Sequence, residues 1–265
     1  MELSIATDYA NDTGDAEPYL RKIAEAGFSH IQWIHHWKHD FIYTEPEIQH
    51  IAKLMEDLHL SLYDIHGSAG AEKNWFSTIE YQRLAGVEIV RNRIEMCKNL
   101  GGSVVVMHIP RLIPENRNNW NQLKKSLYEL EKFCVERAVR IAVENEPLED
   151  FSGIKELFTE YGPEFIGLCY DSGHGNIGGM GLEHFDSVKE RLISFHLHDN
   201  NGFDDQHNPI FSGTINWGKL ARIVSGSKYN KFLTFEIDMK FTGIQDEKLF
   251  LKQAHSVGLK LLGMI

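Results

Sequence analysis

The chain has 265 residues, 42% of them hydrophobic, 25% charged and 11% aromatic, which excludes a disordered, collagen-like or coiled-coil protein. Twenty-seven Lys and Arg against 38 Asp and Glu leave a net charge of −11. No global positive field therefore exists to hold nucleic acid, although local basic loops are not excluded, and no apolar run approaches the roughly 18 residues that span a bilayer.

In chain order, eight short β-rich runs are expected as strands: Leu3 to Asp8, Phe28 to Ile34, Leu60 to His66, Ser103 to His108, Arg140 to Glu146, Phe165 to Asp171, Leu192 to His198 and Phe232 to Asp238. Between them lie amphipathic stretches such as Pro18 to Ala26, Pro46 to Leu58, Ile79 to Leu100, Trp120 to Ala138 and Asp246 to Leu262, with apolar residues three and four apart. Pro18 and Pro46 suit first helical turns, and Gly27 and Gly101 suit C-terminal caps. Eight βα units in this length match an α/β fold of the (β/α)8 TIM-barrel type, a single domain over residues 1–265. The first turn, Asp8-Tyr9-Ala10-Asn11-Asp12, lacks the GxGxxG expected of a doubly wound nucleotide fold. Cys97, Cys134 and Cys169 are odd in number and form no CxxC pair, and Met1 runs into Leu3-Ser4-Ile5 without a basic, apolar leader. The expectation is reduced thiols in a cytoplasmic protein.

Side chains two apart on a strand share a face. With Phe195 and Leu197 toward the helices, Ser194, His196 and His198 turn into the barrel; the same parity turns in Glu236 and Asp238, Glu144, His108, His66 and Asp171. Six strands thus end with an inward His66, His108, Glu144, Asp171, His196 or Glu236 at the face where such barrels build active sites. Carboxylates gathered in a cavity repel one another and lose hydration, so a cation belongs among them. Glu144, Asp171, His196 and Glu236 are the expected ligands, and their mixed oxygen and nitrogen donors suit Mn, Co, Zn or Mg. His66 and His108 are expected either as ligands or as substrate contacts. His198 is expected as a supporting contact, and Cys169 as a small core residue.

These positions, with Val143-Glu144-Asn145, Cys169-Tyr170-Asp171-Ser172-Gly173-His174, His196-Leu197-His198-Asp199-Asn200, Asp205-Gln206-His207, Ser212-Gly213-Thr214-Ile215-Asn216-Trp217 and Phe235-Glu236, resemble the xylose-isomerase-like TIM-barrel superfamily. That superfamily joins sugar isomerases and epimerases, inosose dehydratases and endonuclease IV (AP endonuclease family 2). The resemblance covers nearly the whole chain. It implies a metal-dependent isomerase or epimerase of a sugar or polyol working through an enediolate. Glu144 and Glu236 would be both ligands and the acid/base pair, and His66, His108, His174 and His207 would contact substrate.

Endonuclease IV adds five ligands for a multinuclear cluster, and His66, His108, His174, Asp205 and His207 resemble all five. Against a phosphodiesterase acting at abasic DNA stand Glu144-Asn145-Glu146-Pro147, where the nucleases show a Thr-Ala-Gly-type continuation, and acidic mouth loops with Asp8, Asp12, Asp15, Glu17, Asp204 and Asp205. The basic candidates at that face are Lys73, Arg111, Arg117 and Lys240, beside Lys38 in the second loop. A dehydratase would share the first proton abstraction. A non-catalytic barrel and a Schiff-base aldolase through Lys240 are weaker readings. Trp33, Trp37, Trp75, Phe76 and Phe203 either wall a pocket or pack under loops. A homo-oligomer is open to such barrels, whose apolar rims often mark contacts.

Overall fold

The computed structural model describes residues 1–68, 70 and 72–265. All eight strands expected from the sequence are present: β1 (Glu2–Ala6), β2 (His30–Trp33), β3 (Ser61–His66), β4 (Val104–Met107), β5 (Arg140–Glu144), β6 (Ile166–Asp171), β7 (Leu192–His196) and β8 (Phe232–Phe235). They pair in parallel in the order β7-β6-β5-β4-β3-β2-β1-β8. The ends of that order meet through a parallel bridge between Leu197 and Phe235. Leu197 N–H donates to Thr234 O at 2.9 Å and Glu236 N–H to Leu197 O at 3.2 Å. The sheet thereby closes as a (β/α)8 barrel, which leaves no long unpaired edge.

The helices between strands are α1 (Glu17–Glu25), α2 (Glu45–Asp57), α3 (Glu80–Asn99), α4 (Arg117–Arg137), α5 (Ser152–Glu160), α6 (Ser172–Asn176), α7 (Gly181–Val188), α8 (Trp217–Ser225) and α9 (Glu247–Leu262). Pro18 and Pro46 fall in first turns. Gly27 and Gly101 follow the ends of α1 and α3 with φ of 101° and 83°, a conformation a side chain would oppose. Helix α4 is held to α3 by a buried cation. Arg83 donates to Glu80 at 2.8 Å, to Glu129 at 2.8 Å and to Ser126 Oγ at 2.9 Å, and Ser126 Oγ in turn donates to Trp75 O at 2.6 Å. Trp75 Nε1 continues the chain to His108 O at 3.1 Å, so helix packing fixes the backbone of a mouth residue.

Apolar side chains fill the layer between strands and helices. Inside the barrel Val104, Val106, Ala142 and Cys169 belong to a separate small cluster. The polar Ser4, Gln32, Asp64, Ser194 and Thr234 are fully buried as well. Cys97, Cys134 and Cys169 are free and buried. Among the described residues no helix is long and apolar enough to cross a membrane.

The loop after β2 buries His35 to 1% exposure. Its Nδ1 lies 3.1 Å from Thr7 Oγ1, its Nε2 has no partner, and burial pulls its pKa down to about 4. The unfolded chain takes up this proton first, so the contribution of His35 is intact above the ordinary histidine pKa and is lost as pH falls toward 4. The loss reaches about 3 kcal/mol. His35→Phe should therefore flatten the decline in urea midpoint between pH 7 and 4.5; an unchanged slope in the variant would show that this ring is not the proton acceptor.

Candidate metal centre

Four strands terminate on the residues that parity turns inward: β3 on His66, β5 on Glu144, β6 on Asp171 and β7 on His196. His108 and Glu236 lie one residue beyond β4 and β8. The sequence reading had extended those strands, whereas the chain leaves the ladder where its side chains turn to the mouth. Glu144, Asp171, His196 and Glu236 each offer an atom within 4.8 Å of the other three. His196 Nδ1 is 3.0 Å from Glu144 Oε1, 2.9 Å from Glu236 Oε2 and 3.9 Å from Asp171 Oδ2.

The other candidate residues surround this core in two groups. On one side His66 Nε2 and His108 Nε2 each lie 3.5 Å from Glu144 Oε2. Their Nδ1 atoms are engaged by Gly67 O at 2.9 Å and Glu146 Oε1 at 2.5 Å. On the other side Asp205 lies 3.4 Å from His174 Nε2, 3.2 Å from His207 Nε2 and 3.7 Å from His198 Nε2. His198 is fully buried, contacts both Asp171 oxygens at 3.1 Å, and stacks on His207 with ring centroids 4.1 Å apart. It supports Asp171 from behind.

Local structure explains why Asp171 is so well fixed. It caps α6, its Oδ1 accepting from His174 N–H at 2.6 Å. Asn145 clamps its backbone from β5: Asn145 Nδ2 donates to Asp171 O at 3.0 Å and Asn145 Oδ1 accepts from Asp171 N–H at 2.8 Å. Asn145 O takes the Nδ1–H of His174 at 2.9 Å. Asn145 and Glu146 stand in motifs quoted from the sequence but carry no assigned role there, and Gln32 is not among the expected site residues. Gln32 was accessible to the parity test, since Ile31 and Trp33 flank it toward the helices. Glu146 was not, because its reach to His108 depends on the loop bend.

Above the core opens a cavity of about 270 Å³ lined by Asp8, Trp37, Lys38, His108, Glu144, His174, Asp205, His207, Glu236, Ile237, Asp238 and Lys240. Trp37 lies parallel to His108 with centroids 5.5 Å apart and covers His66 at 4.4 Å. Trp33 and Trp75 pack in the core, and Phe203 is 84% exposed. Of the basic residues expected here, Lys240 and Lys38 line the cavity. Lys73, Arg111 and Arg117 are not among its described walls.

Electrostatics and orphaned atoms bear on what the site holds. Glu144 Oε2 and His196 Nδ1 are buried without a hydrogen-bond partner. Burial alone would raise Glu236, but His196 holds it down to about 2. Burial would likewise lower His196, yet Cys169, Glu144 and Glu236 push it well above the ordinary histidine value. Asp8 is pushed up to about 7 by burial and by Glu236. In the bare site protons offset the clustered carboxylates. The donor set of three carboxylates and one imidazole, each with a ligand atom within 4.8 Å of the others and with His196 Nδ1 lacking a hydrogen-bond partner, fits a divalent cation.

A family model described as xylose isomerase-like TIM barrel matches residues 20–254. An uncharacterised protein, y4fM, of Sinorhizobium fredii is 30% identical over 275 residues, covering 93% of this chain and 88% of that protein. A probable endonuclease 4 of Mesoplasma florum is 24% identical over 167 residues, 54% of this chain and 56% of that protein. Among solved structures, a D-tagatose 3-epimerase-like protein superposes with a TM-score of 0.79 at 21% identity, covering 99% of this chain and 98% of that one; at that identity the likeness speaks for the fold.

If the four central donors share one cation, Asp171→Asn should weaken Mn2+ or Zn2+ binding by on the order of 100-fold or more, since even supporting residues are worth 10–100-fold. Asp186→Asn, an exposed change on α7, should leave binding unaltered. Titration calorimetry on metal-stripped protein reads both, and equal affinity in the Asp171 variant would refute the shared site.

Proposed function

The chain belongs to the xylose isomerase-like TIM-barrel family, and on that premise we propose that it is a divalent-metal-dependent isomerase or epimerase of a small sugar or polyol. The observation that carries this reading is the placement of Glu144 and Glu236 on two sides of His196 Nδ1, at 3.0 and 2.9 Å, at the floor of a cavity of about 270 Å³. The D-tagatose 3-epimerase-like neighbour supports it.

Glu144, Asp171, His196 and Glu236 would hold a Mn, Co, Zn or Mg ion, which when bound supplies Lewis-acid stabilisation of negative charge on substrate oxygens. The chain's own groups do the proton work. Both glutamates are held below the ordinary carboxylate range against their burial by His196, so both are ionised near neutral pH. One, ionised, removes the proton from the carbon beside the substrate carbonyl; the other, once it has taken up a proton from solvent, delivers that proton to the opposite face of the enediolate, and the first releases its own to solvent. His174 and His207 line the cavity with Asp205 between their Nε2 atoms, and a substrate hydroxyl would meet these rings by sharing those Nε2 contacts. Trp37 offers an apolar wall to a C–H face of the sugar and narrows the entrance to water. The walls Asp8, Asp205, Asp238 and Glu236 outnumber Lys38 and Lys240, which suits a neutral polyol better than a polyanion.

One observation favours a second reading. His66, His108 and Glu144 form a further group of three donors within 4.8 Å of one another, as do His198, Asp205 and His207. With the central four they make three adjacent sets, the arrangement a multinuclear phosphodiester hydrolase would use, and the probable endonuclease 4 relative points the same way. Elemental analysis separates the readings: one ion per chain supports the isomerase, three tightly held zincs the hydrolase.

Incubated with candidate ketoses in deuterated water, the enzyme should place solvent deuterium on one carbon. Glu236→Gln should slow that exchange by about 10²- to 10⁴-fold, the usual worth of a general acid or base. Cleavage of an abasic duplex with no exchange into any ketose would overturn the proposal.

A further inference from the structure

Strand β2 sends no carboxylate or imidazole to the mouth, yet it places an amide against the central ring. Gln32 is fully buried, and its Nε2 lies 2.7 Å from His196 Nε2, on the side of the ring away from Glu144 and Glu236. Gln32 Oε1 and Asp64 Oδ1 have no hydrogen-bond partner, although Asp64 is the register partner of Gln32 on β3. Across the barrel Ser194 Oγ donates to Asp64 Oδ2. The ring of His196 is also packed against His66, with centroids 5.4 Å apart and planes 21° apart.

A contact between two nitrogens at this distance is a hydrogen bond only when one is a bare acceptor. His196 Nε2 is bare only while the ring is neutral with its proton on Nδ1. As an imidazolium, or with a cation at Nδ1, the ring carries a proton on Nε2 and needs an oxygen there. A half-turn of the Gln32 amide supplies that oxygen without changing its volume. The same half-turn points the amide N–H groups away from the ring, and Asp64, the register partner of Gln32, has an unused oxygen to receive them.

We propose that Gln32 is a positioning residue: its Oε1 accepts from His196 Nε2–H and its amide donates to Asp64, fixing His196 as an Nδ1 donor aimed at Glu144 and Glu236. The inference rests on the metal reading above and adds to it the chain His196–Gln32–Asp64–Ser194. Ligand orientation at the mouth is then set from inside the barrel, through side chains of β2, β3 and β7. Exposed residues around the cavity do not enter into it.

The test uses full-length, metal-stripped protein and Zn2+, titrated against a chromophoric chelator. Gln32→Met, close in volume but unable to accept, should weaken Zn2+ binding 10- to 100-fold, the range for groups that orient a ligand. In long-range 1H–15N spectra of the Zn2+-loaded wild type, a protected Nε2–H signal that disappears in His196→Gln should be present, and Gln32→Met should lose that protection. The double variant Gln32→Glu with Asp64→Asn keeps an acceptor for His196 Nε2–H and reverses the bond between positions 32 and 64, the new amide donating to the new carboxylate, and should restore both affinity and signal. Should Gln32→Met fail to fold, the folded double variant decides: wild-type affinity with the Nε2–H signal supports the chain, and loss of both overturns it. Wild-type affinity and an unchanged signal in Gln32→Met overturn this inference alone. A wild type that takes up no divalent cation overturns the metal reading, and this one with it.

Discussion

Three carboxylates, Glu144, Asp171 and Glu236, are packed into one buried spot, and the molecule is organised around the need to offset their charge. Isolated ionised carboxylates cannot be left unpaired away from water. Two imidazoles contribute to this in the bare protein: His196 sits against Glu144 and Glu236 and His108 faces Glu144, and against their burial the neighbouring carboxylates raise both above the ordinary histidine range. A cation entering such a site would displace protons. Affinity for the cation is then coupled to pH through every imidazole that must give up its proton, and a bound cation stabilises the folded state in proportion to its affinity.

The barrel is what makes this charge density tolerable. Glu144 and Asp171 end their strands and Glu236 stands one residue beyond β8, its N–H tied to Leu197 O, and the surrounding backbone is braced. Asn145 holds Asp171 by its backbone, and Ser172 Oγ donates to His198 O while accepting from His198 N–H. Trp75 ties His108 to the α3–α4 pair. Bracing matters to a proton-transfer enzyme because reacting groups must stand within hydrogen-bond reach of the carbon they serve, and small displacements cost rate steeply. The polar layer beneath the mouth has the same logic. Where a barrel of this kind is usually filled with bulky branched side chains, Ser4, Gln32, Asp64, Ser194 and Thr234 occupy the interior, and Gln32 reaches up to His196.

Much of this was legible in the chain itself. Alternation of apolar and polar residues located all eight strands, because a parallel barrel strand must be apolar toward its helices while its inward face is free to vary. The same parity turns Glu144, Asp171, His196 and Glu236 toward one mouth. The less legible parts depend on geometry that no local pattern records. Helix α6 reads Ser-Gly-His-Gly-Asn, a run of poor helix formers that winds because Asp171 caps it. Glu146 meets His108 only because the chain turns after β5. The aromatic residues are the plainest case: Trp33, Trp37, Trp75 and Phe203 look alike in sequence, yet one walls the cavity, two are core and one is exposed. Burial, not residue type, assigns their roles.

Glu144 is the point on which the two chemical readings turn. Its Oε1 faces His196 and its Oε2 faces His66 and His108, so one carboxylate belongs to two donor sets. A glutamate that bridged two cations would have both oxygens engaged and would be a weaker base toward a proton on carbon. If only the central set is filled, Oε2 keeps its basicity, beside two imidazoles whose Nδ1 atoms are already tied to Gly67 and Glu146. General-base work by Glu144 and a bridging role for it therefore compete. The indole of Trp37, lying over His66 and parallel to His108, covers the outer donor set and leaves the cavity open toward Glu236, His174 and His207. That asymmetry favours occupation of the central set by the cation and of the remaining space by a small polar substrate.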